Sequence, residues 1–333
     1  MKNEMLRFFR SSSSIVIITI LLIGVLTWFH VLNESENIFS EKYGTFMFRA
    51  LNGWLIDLPI PELHVWFGLI LFLLTTVLLV YMNVQLHLIE KALYLPALCY
   101  VLLIGGVSEI HLFNPAMVAA ILLVVGFAPL LKSFESEQLS YCFFTAPVFI
   151  STAAFFYQYA YMYMLVVWFT IALLRPGYWR EWVFSILGYA FPLFLAFSWF
   201  FLAEDDYSRL GVFFNEIVTI QRITPSLSIP IIIFFASSIA VAIISFGHIP
   251  RYLESKKMIV RNRYYVMILI TIVTGGMIFA VPDMIPFAWY LLALPLSFIM
   301  SGFLADTKSK RLGTIALSIL FAGVVAAQVI FLI

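Results

Sequence analysis

Charge is scarce in this sequence. Only 11% of its 333 residues are Asp, Glu, Lys or Arg, and 63% are hydrophobic, whereas a soluble domain carries roughly 25% charged residues. A chain of this length with so few charges cannot cover itself with polar surface, which excludes an ordinary soluble domain and predicts that lipid is its solvent. The net charge of +1 provides no basic surface for nucleic acid.

Cysteine is also scarce. The two cysteines, Cys99 and Cys142, both lie in apolar runs, which excludes a disulfide-rich scaffold and is typical of buried small hydrophobic residues. The five histidines are far apart in the sequence and lie near predicted membrane interfaces, so no histidine metal site is expected. They are His30, His64, His87, His111 and His248.

Long apolar segments fill most of the chain. A helix needs about 20 mainly apolar residues to cross roughly 30 Å of hydrocarbon, and helices are required because lipid offers no partners to open backbone groups. The sequence therefore predicts an all-α, polytopic membrane bundle with about eleven spans in a single transmembrane domain, residues 1–333. The predicted spans are 13–31, 64–84, 92–107, 116–131, 141–157, 159–175, 183–203, 228–247, 264–281, 286–304 and 312–333.

The basic residues are distributed asymmetrically between the loops. With the N-terminus on the inside, 15 of the 19 Lys and Arg residues lie in inner loops, and Lys42, Arg49, Arg209 and Arg222 lie outside. Basic residues are retained on the cytoplasmic side of membranes. This pattern predicts a bacterial inner-membrane protein with a cytoplasmic N-terminus and a periplasmic C-terminus.

The predicted spans lack ionisable residues at their centres. Their polar groups are mild, as at Thr75, Thr170 and Thr274. Ion-coupled carriers usually keep a charged group near the membrane midplane, so this absence argues against a proton- or sodium-driven transporter. It leaves a passive path for a lipid or small solute open.

Two outer loops are long enough to fold. Residues 32–63 contain an apolar segment at 45–58, and residues 204–227 place Leu210, Phe213 and Ile217 at helical spacing. We expect short helices along the outer surface in both loops. The inner loop 248–263 carries five basic residues, which indicates either orientation alone or contact with anionic lipid.

Carboxylates follow the first predicted span. Glu34 and Glu36 lie there, where GT-C glycosyltransferases, which use polyprenyl-phosphate sugars, keep one or two carboxylates. Such a carboxylate accepts the acceptor's proton, often beside a divalent cation that steadies the leaving phosphate. The chain resembles that class in topology, which implies Glu34 and Glu36 as catalytic candidates. The alternative interpretation is a solvated loop.

The outer loops also supply candidates for binding the substrate. Asp205 and Asp206 form a second acidic pair, and Arg49, Arg209 and Arg222 are the outer arginines. Guanidinium groups match phosphate oxygens in geometry. We therefore expect these five residues to contact a polyprenyl-phosphate-linked sugar.

A second resemblance concerns the first two thirds of the chain. Its motifs are Met5-Leu-Arg-Phe-Phe9, Leu95-Pro-Ala-Leu98, Asn114-Pro-Ala116 and Arg175-Pro-Gly-Tyr-Trp-Arg-Glu-Trp182. Together they resemble an uncharacterised family of multi-span inner-membrane proteins from Bacteroidota, which implies location and architecture only. Two other functions therefore remain open: a non-catalytic scaffold that binds membrane partner proteins in envelope assembly, and a transporter of lipid or small solutes.

Overall fold

In the residues that it describes, the computed structural model contains helices joined by short connections and no strands. These are 4–29, 45–57, 63–90, 92–107, 110–136, 138–174, 177–203, 229–280, 285–307 and 310–331. In chain order the helices are α1 (Glu4–Phe9), α2 (Ser14–Thr27), α3 (Phe46–Ile56), α4 (Leu63–Leu86), α5 (Leu95–Gly105), α6 (Pro115–Lys132), α7 (Leu139–Ala154), a 3₁₀ helix (Gln158–Tyr163), α8 (Met164–Leu174), α9 (Trp179–Ala203), α10 (Ile229–Glu254), α11 (Met258–Ala280), α12 (Ile285–Asp306) and α13 (Lys310–Phe331). The predicted helical membrane bundle is confirmed.

The expected number of spans is larger than the number that the structure shows. In the described ranges, seven helices are long and apolar enough to cross a membrane: α4, α6, α9, α10, α11, α12 and α13. The other four predicted segments form the shorter helices Ser14–Thr27, Leu95–Gly105, Leu139–Ala154 and Gln158–Leu174. At 1.5 Å per residue, an 11-residue helix such as α5 is only about 17 Å long, so hydropathy alone overestimated the length of its helix.

The short helix α5 forms the centre of the bundle. All eleven of its residues are buried, and it packs against α12, whose membrane-length window is 94% buried. Pro96 lies at its start, where proline's missing N–H costs no helical hydrogen bond. Because other helices surround it, α5 does not need to reach both lipid interfaces itself.

Side chains at one end of the bundle bind the last carbonyls of several helices. Arg10 Nε donates to the carbonyl oxygen of Leu304 at 2.9 Å. The Arg263 guanidinium donates to the carbonyl oxygens of Leu131 at 2.9 Å and Leu86 at 2.7 Å. The ends of α4, α6 and α12 and the beginning of α11 therefore meet here, at what we call the basic end.

The opposite end of the bundle is held in a similar way. Gln328 Nε2 donates to the carbonyl oxygen of Thr27 at 3.2 Å and to that of Gly105, and Trp289 Nε1 donates to the carbonyl oxygen of Leu103 at 2.8 Å. The ends of α2, α5 and α13 thus lie beside the beginning of α12. We call this the acidic end, because the predicted outer loops with their carboxylates follow from it in the sequence.

Candidate functional site

Most of the predicted site residues lie outside the described residues. This is true of the proposed catalytic Glu34 and Glu36, and of Asp205, Asp206, Arg209 and Arg222. Their roles stay predictions. Arg49 is described, and it is half-buried on α3.

Helix α3 is attached to the acidic end of the bundle by its apolar face. Phe48 is buried against Phe113, with ring centroids 5.0 Å apart, and Leu55 belongs to the same cluster. On the other face Trp54 is 60% exposed. The short helix that the sequence predicts in this loop is present as α3.

The beginning of α3 is hydrogen-bonded to the connection after α7. The Thr45 hydroxyl, which is buried, donates to the carbonyl oxygen of Phe155. Arg49 lies one turn further along α3, and its backbone N–H donates to the carbonyl oxygen of Thr45 at 3.0 Å. This arginine is therefore held near residues 155–163, which connect α7 to α8.

A lipid-facing cleft opens beside that same connection. It has a volume of about 370 Å³ and lies between the 3₁₀ helix with α8 on one side and α9 on the other. Its wall is almost wholly apolar, with two tyrosine side chains. The residues that form it include Tyr161, Met164, Leu165, Trp168, Ile186 and Tyr189.

The cleft exists because α9 packs closely on α7 and only loosely on α8. At Gly188 a Cβ would lie 2.3 Å from the backbone carbonyl oxygen of Phe144, so only glycine permits this approach. The membrane-length window of α9 is just 17% buried. One face of α9 thus contacts α7, and the rest faces lipid and the cleft.

The centre of the bundle is filled by aromatic side chains rather than by a polar path. Trp28 stacks on Phe72 at 5.8 Å between ring centroids, Phe72 on Tyr100 at 5.8 Å, and Tyr100 meets Tyr290 edge-on at 5.9 Å. All four side chains are fully buried. In the part of the chain described, this packing leaves no room for a solute along their line.

One cation at the basic end has a structural role that its position in the sequence does not indicate. Arg263 was predicted to lie in an inner loop, but its side chain is only 1% exposed and its Nη2 lies 2.8 Å from Glu135 Oε2. Nearby, His248 Nε2 lies 3.7 Å from Asp306 Oδ2. Partial burial lowers the pKa of Arg10, and the Asp306 charge opposes that effect. The only signal in the sequence was the five basic residues within 248–263.

No group of three or more His, Cys, Asp or Glu side chains that could hold a metal ion occurs in the described ranges. The predicted carboxylates Glu34, Glu36, Asp205 and Asp206 are outside those ranges, so the expected divalent cation stays a prediction.

Comparison with known proteins gives no family assignment. No protein-family model matches the chain, and neither a curated protein nor a solved structure is detectably similar to it.

Proposed function

We propose that this chain is a GT-C-like inner-membrane transferase, which moves a sugar from a polyprenyl phosphate to an acceptor at the outer face. The observation that carries the proposal is the apolar cleft between α8 and α9. A polyprenyl carrier is a long apolar chain that ends in a phosphate, and a lipid-facing groove of about 370 Å³ fits part of such a chain. Ligand clefts generally range from about 300 to 1,000 Å³.

Groups suited to the phosphate end occur in chain segments that continue from the elements around the cleft. The cleft wall at Tyr161 belongs to the connection that also binds Thr45 at the beginning of α3. Arg49 follows on that helix, and Asp205 follows the end of α9 at Ala203 by two residues. The Arg49 guanidinium suits a lipid phosphate, because its fork pairs with two oxygens.

In the proposed reaction the acceptor's hydroxyl oxygen attacks the anomeric carbon of the sugar. The bond from that carbon to the phosphate oxygen breaks, and polyprenyl phosphate leaves. Glu34 or Glu36 takes the hydroxyl proton, and the outer arginines, with a divalent cation where one binds, stabilise the charge on the leaving phosphate.

The proposed topology has eleven passes. We propose that the four short helices complete their crossings with flanking residues and neighbouring helices, which places the N-terminus in the cytoplasm and the C-terminus in the periplasm. Support comes from the helix ends, which alternate between the two ends of the bundle. The last carbonyls of α4, α6 and α12 accept from arginines at the basic end. Those of α2 and α5 accept from Gln328 at the acidic end.

The carrier test uses undecaprenyl phosphate as the probe. The purified protein in detergent is titrated with it and examined by native mass spectrometry. Ile186→Trp fills the cleft and is expected to weaken the binding of undecaprenyl phosphate about tenfold, which corresponds to about 1.4 kcal/mol. Ile272→Trp, on the lipid-facing side of α11 away from the cleft, is the matched control. If both variants bind undecaprenyl phosphate equally well, the cleft is not its binding site.

The chemical test is separate. Glu34→Gln combined with Glu36→Gln is expected to abolish the chain's contribution to the cell-envelope glycan profile while the protein still binds undecaprenyl phosphate. An unchanged glycan profile would refute the transferase and leave the scaffold.

One observation favours that scaffold. Helix α9 is exposed to lipid over most of its surface, and Trp179, Phe194 and Trp199 are each more than 60% exposed. A membrane helix of a partner protein fits such a face. The scaffold predicts stable co-purification with a partner, and it predicts that Phe194→Ala loosens that association. The transporter is the weaker proposal, because aromatic side chains from Trp28 to Tyr290 fill the centre of the bundle.

A further inference from the structure

Helices α10 and α11 form a second groove at the basic end. They are consecutive in the chain, yet each packs against α12 and their backbones rarely approach each other. The groove between them has a volume of about 460 Å³. Its position, at the end of α10 and the beginning of α11, places it at the level where the membrane meets the inner loop.

Two tyrosines join the helices behind the groove. Tyr252 and Tyr264 meet edge-on at 5.3 Å between ring centroids, and both lie close to Gly302 of α12. The Tyr252 hydroxyl also donates to the carbonyl oxygen of Leu88 at 3.2 Å. These contacts hold the two helices at a fixed separation, so the groove is a built feature of the packing.

The wall of the groove changes from apolar to charged along its length. Phe246, Ile249 and Ile268 line the part deeper in the bundle, and Glu254 and Arg261 lie at the basic end. Pro250 lies inside α10. Because proline has no backbone N–H, the carbonyl oxygen of Phe246 lacks its usual helical hydrogen bond. The groove thus offers an apolar channel with polar groups at its mouth, which is the chemical division of a phospholipid.

The chain segment that joins α10 to α11 at the mouth, residues 251–261, is rich in basic residues. Arg251 and Lys257 are exposed, and Lys256 lies 4.8 Å from the centroid of the Tyr252 ring. Among the residues that line the groove, Glu254 and Arg261 carry opposite charges, and Arg251, Lys256 and Lys257 add positive charge in the adjoining chain segment. Among the described residues the Arg261 guanidinium makes no ion pair.

We propose that this groove binds one anionic phospholipid of the inner leaflet, with an acyl chain along Phe246, Ile249 and Ile268 and its phosphate at Arg261. Cationic groups near a membrane surface each attract anionic lipid by about 1 kcal/mol. A zwitterionic headgroup would place its ammonium among the cations of the mouth, which is unfavourable. The proposal is independent of any transferase activity.

The test measures lipid retention by the full-length protein. Protein purified in detergent is incubated with phosphatidylglycerol or phosphatidylethanolamine and examined by native mass spectrometry. We expect the protein to retain phosphatidylglycerol preferentially, and Arg261→Gln to lower its affinity about fivefold, which corresponds to about 1 kcal/mol. Arg180→Gln, at another exposed position that is predicted to be inner, is the matched control and leaves retention unchanged.

A second pair of variants tests the acyl-chain part. Ile268→Trp fills the groove, and Ile272→Trp lies one turn further along α11 on the lipid-facing surface. Only the first is expected to lower phosphatidylglycerol retention. Thermal unfolding of each variant verifies that it is folded, and inorganic phosphate is added to distinguish a phosphate site from a lipid site.

Several outcomes would overturn the proposal. They are equal retention of the two lipids, equal loss in Arg261→Gln and Arg180→Gln, equal loss in both tryptophan variants, and displacement of the lipid by inorganic phosphate. None of these bears on the α8–α9 cleft, so the two proposals fail separately.

Discussion

The buried guanidinium of Arg263 lies 2.8 Å from the carboxylate of Glu135, but the two partners have unequal surroundings. Arg263 is 1% exposed and Glu135 is 46% exposed. The arginine also satisfies the carbonyl oxygens of Leu86 and Leu131 at the ends of α4 and α6. The main role of Arg263 is therefore to hold α4, α6 and α11 together through these hydrogen bonds, and its ion pair with Glu135 contributes less.

We predict that Arg263→Gln destabilises the protein by about 2 to 4 kcal/mol, because it leaves the buried carbonyl oxygens of Leu86 and Leu131 without their donor. Arg263→Lys keeps the charge but loses the fork, and it is expected to rescue only part of the loss. Thermal unfolding in detergent is the measurement. Glu135→Gln is the control, because it keeps both carbonyl contacts of Arg263 and an acceptor oxygen beside the guanidinium, and it is expected to cost less than Arg263→Gln; equal losses for both partners would refute the capping role.

The close approach of α7 and α9 depends on Gly188. We predict that Gly188→Ala destabilises the protein by about 1 to 3 kcal/mol, because the added Cβ meets the backbone oxygen of Phe144, which cannot rotate away. Gly275→Ala in α11 is the control, since a Cβ added there would have no contact within 4 Å. If unfolding temperatures show that both variants are equally stable, the helices do not pack as described.

Gln328 links the last carbonyls of α2 and α5. We predict that Gln328→Leu costs about 1 kcal/mol, the size typical of a hydrogen bond between membrane helices. Val325→Leu, on the exposed side of α13, should have no effect on unfolding. A neutral Gln328→Leu would mean that water or lipid replaces the amide.

The orientation is tested by cysteine labelling. Cys99 and Cys142 are buried, so we expect them to be inert to a membrane-impermeant maleimide in the folded protein. Trp54→Cys and Met258→Cys introduce thiols at positions that are 60% and 67% exposed. We predict labelling of the first in intact spheroplasts and of the second only after the membrane is opened; the reverse pattern would invert the proposed topology.

The sequence predicted the membrane class because hydropathy is a property of each segment by itself. Each of the eleven predicted segments contains a helix. What it could not predict is how many residues of each segment are helical, since that depends on neighbours: α5 is short because α12 and other helices cover it on every side. Likewise, the sequence places Arg263 among loop cations, and only the packing shows that α4 and α6 end beside it.

The candidate site was less predictable than the fold. Carboxylates in outer loops can be found by inspection, but the α8–α9 cleft results from a contact between Gly188 and Phe144, and no sequence pattern in either helix indicates it. The groove between α10 and α11 arises in the same way, from two consecutive helices that both pack on α12.

The burial of α5 has a consequence for biogenesis. Its side chains and carbonyls depend on partners such as Trp289, which is synthesised 186 residues after Leu103. During translation α5, which is too short to cross the membrane by itself, is therefore made long before α12, the helix that it packs against. We expect this segment to enter its final place late, so that a chain truncated before α12 becomes a substrate for membrane quality control.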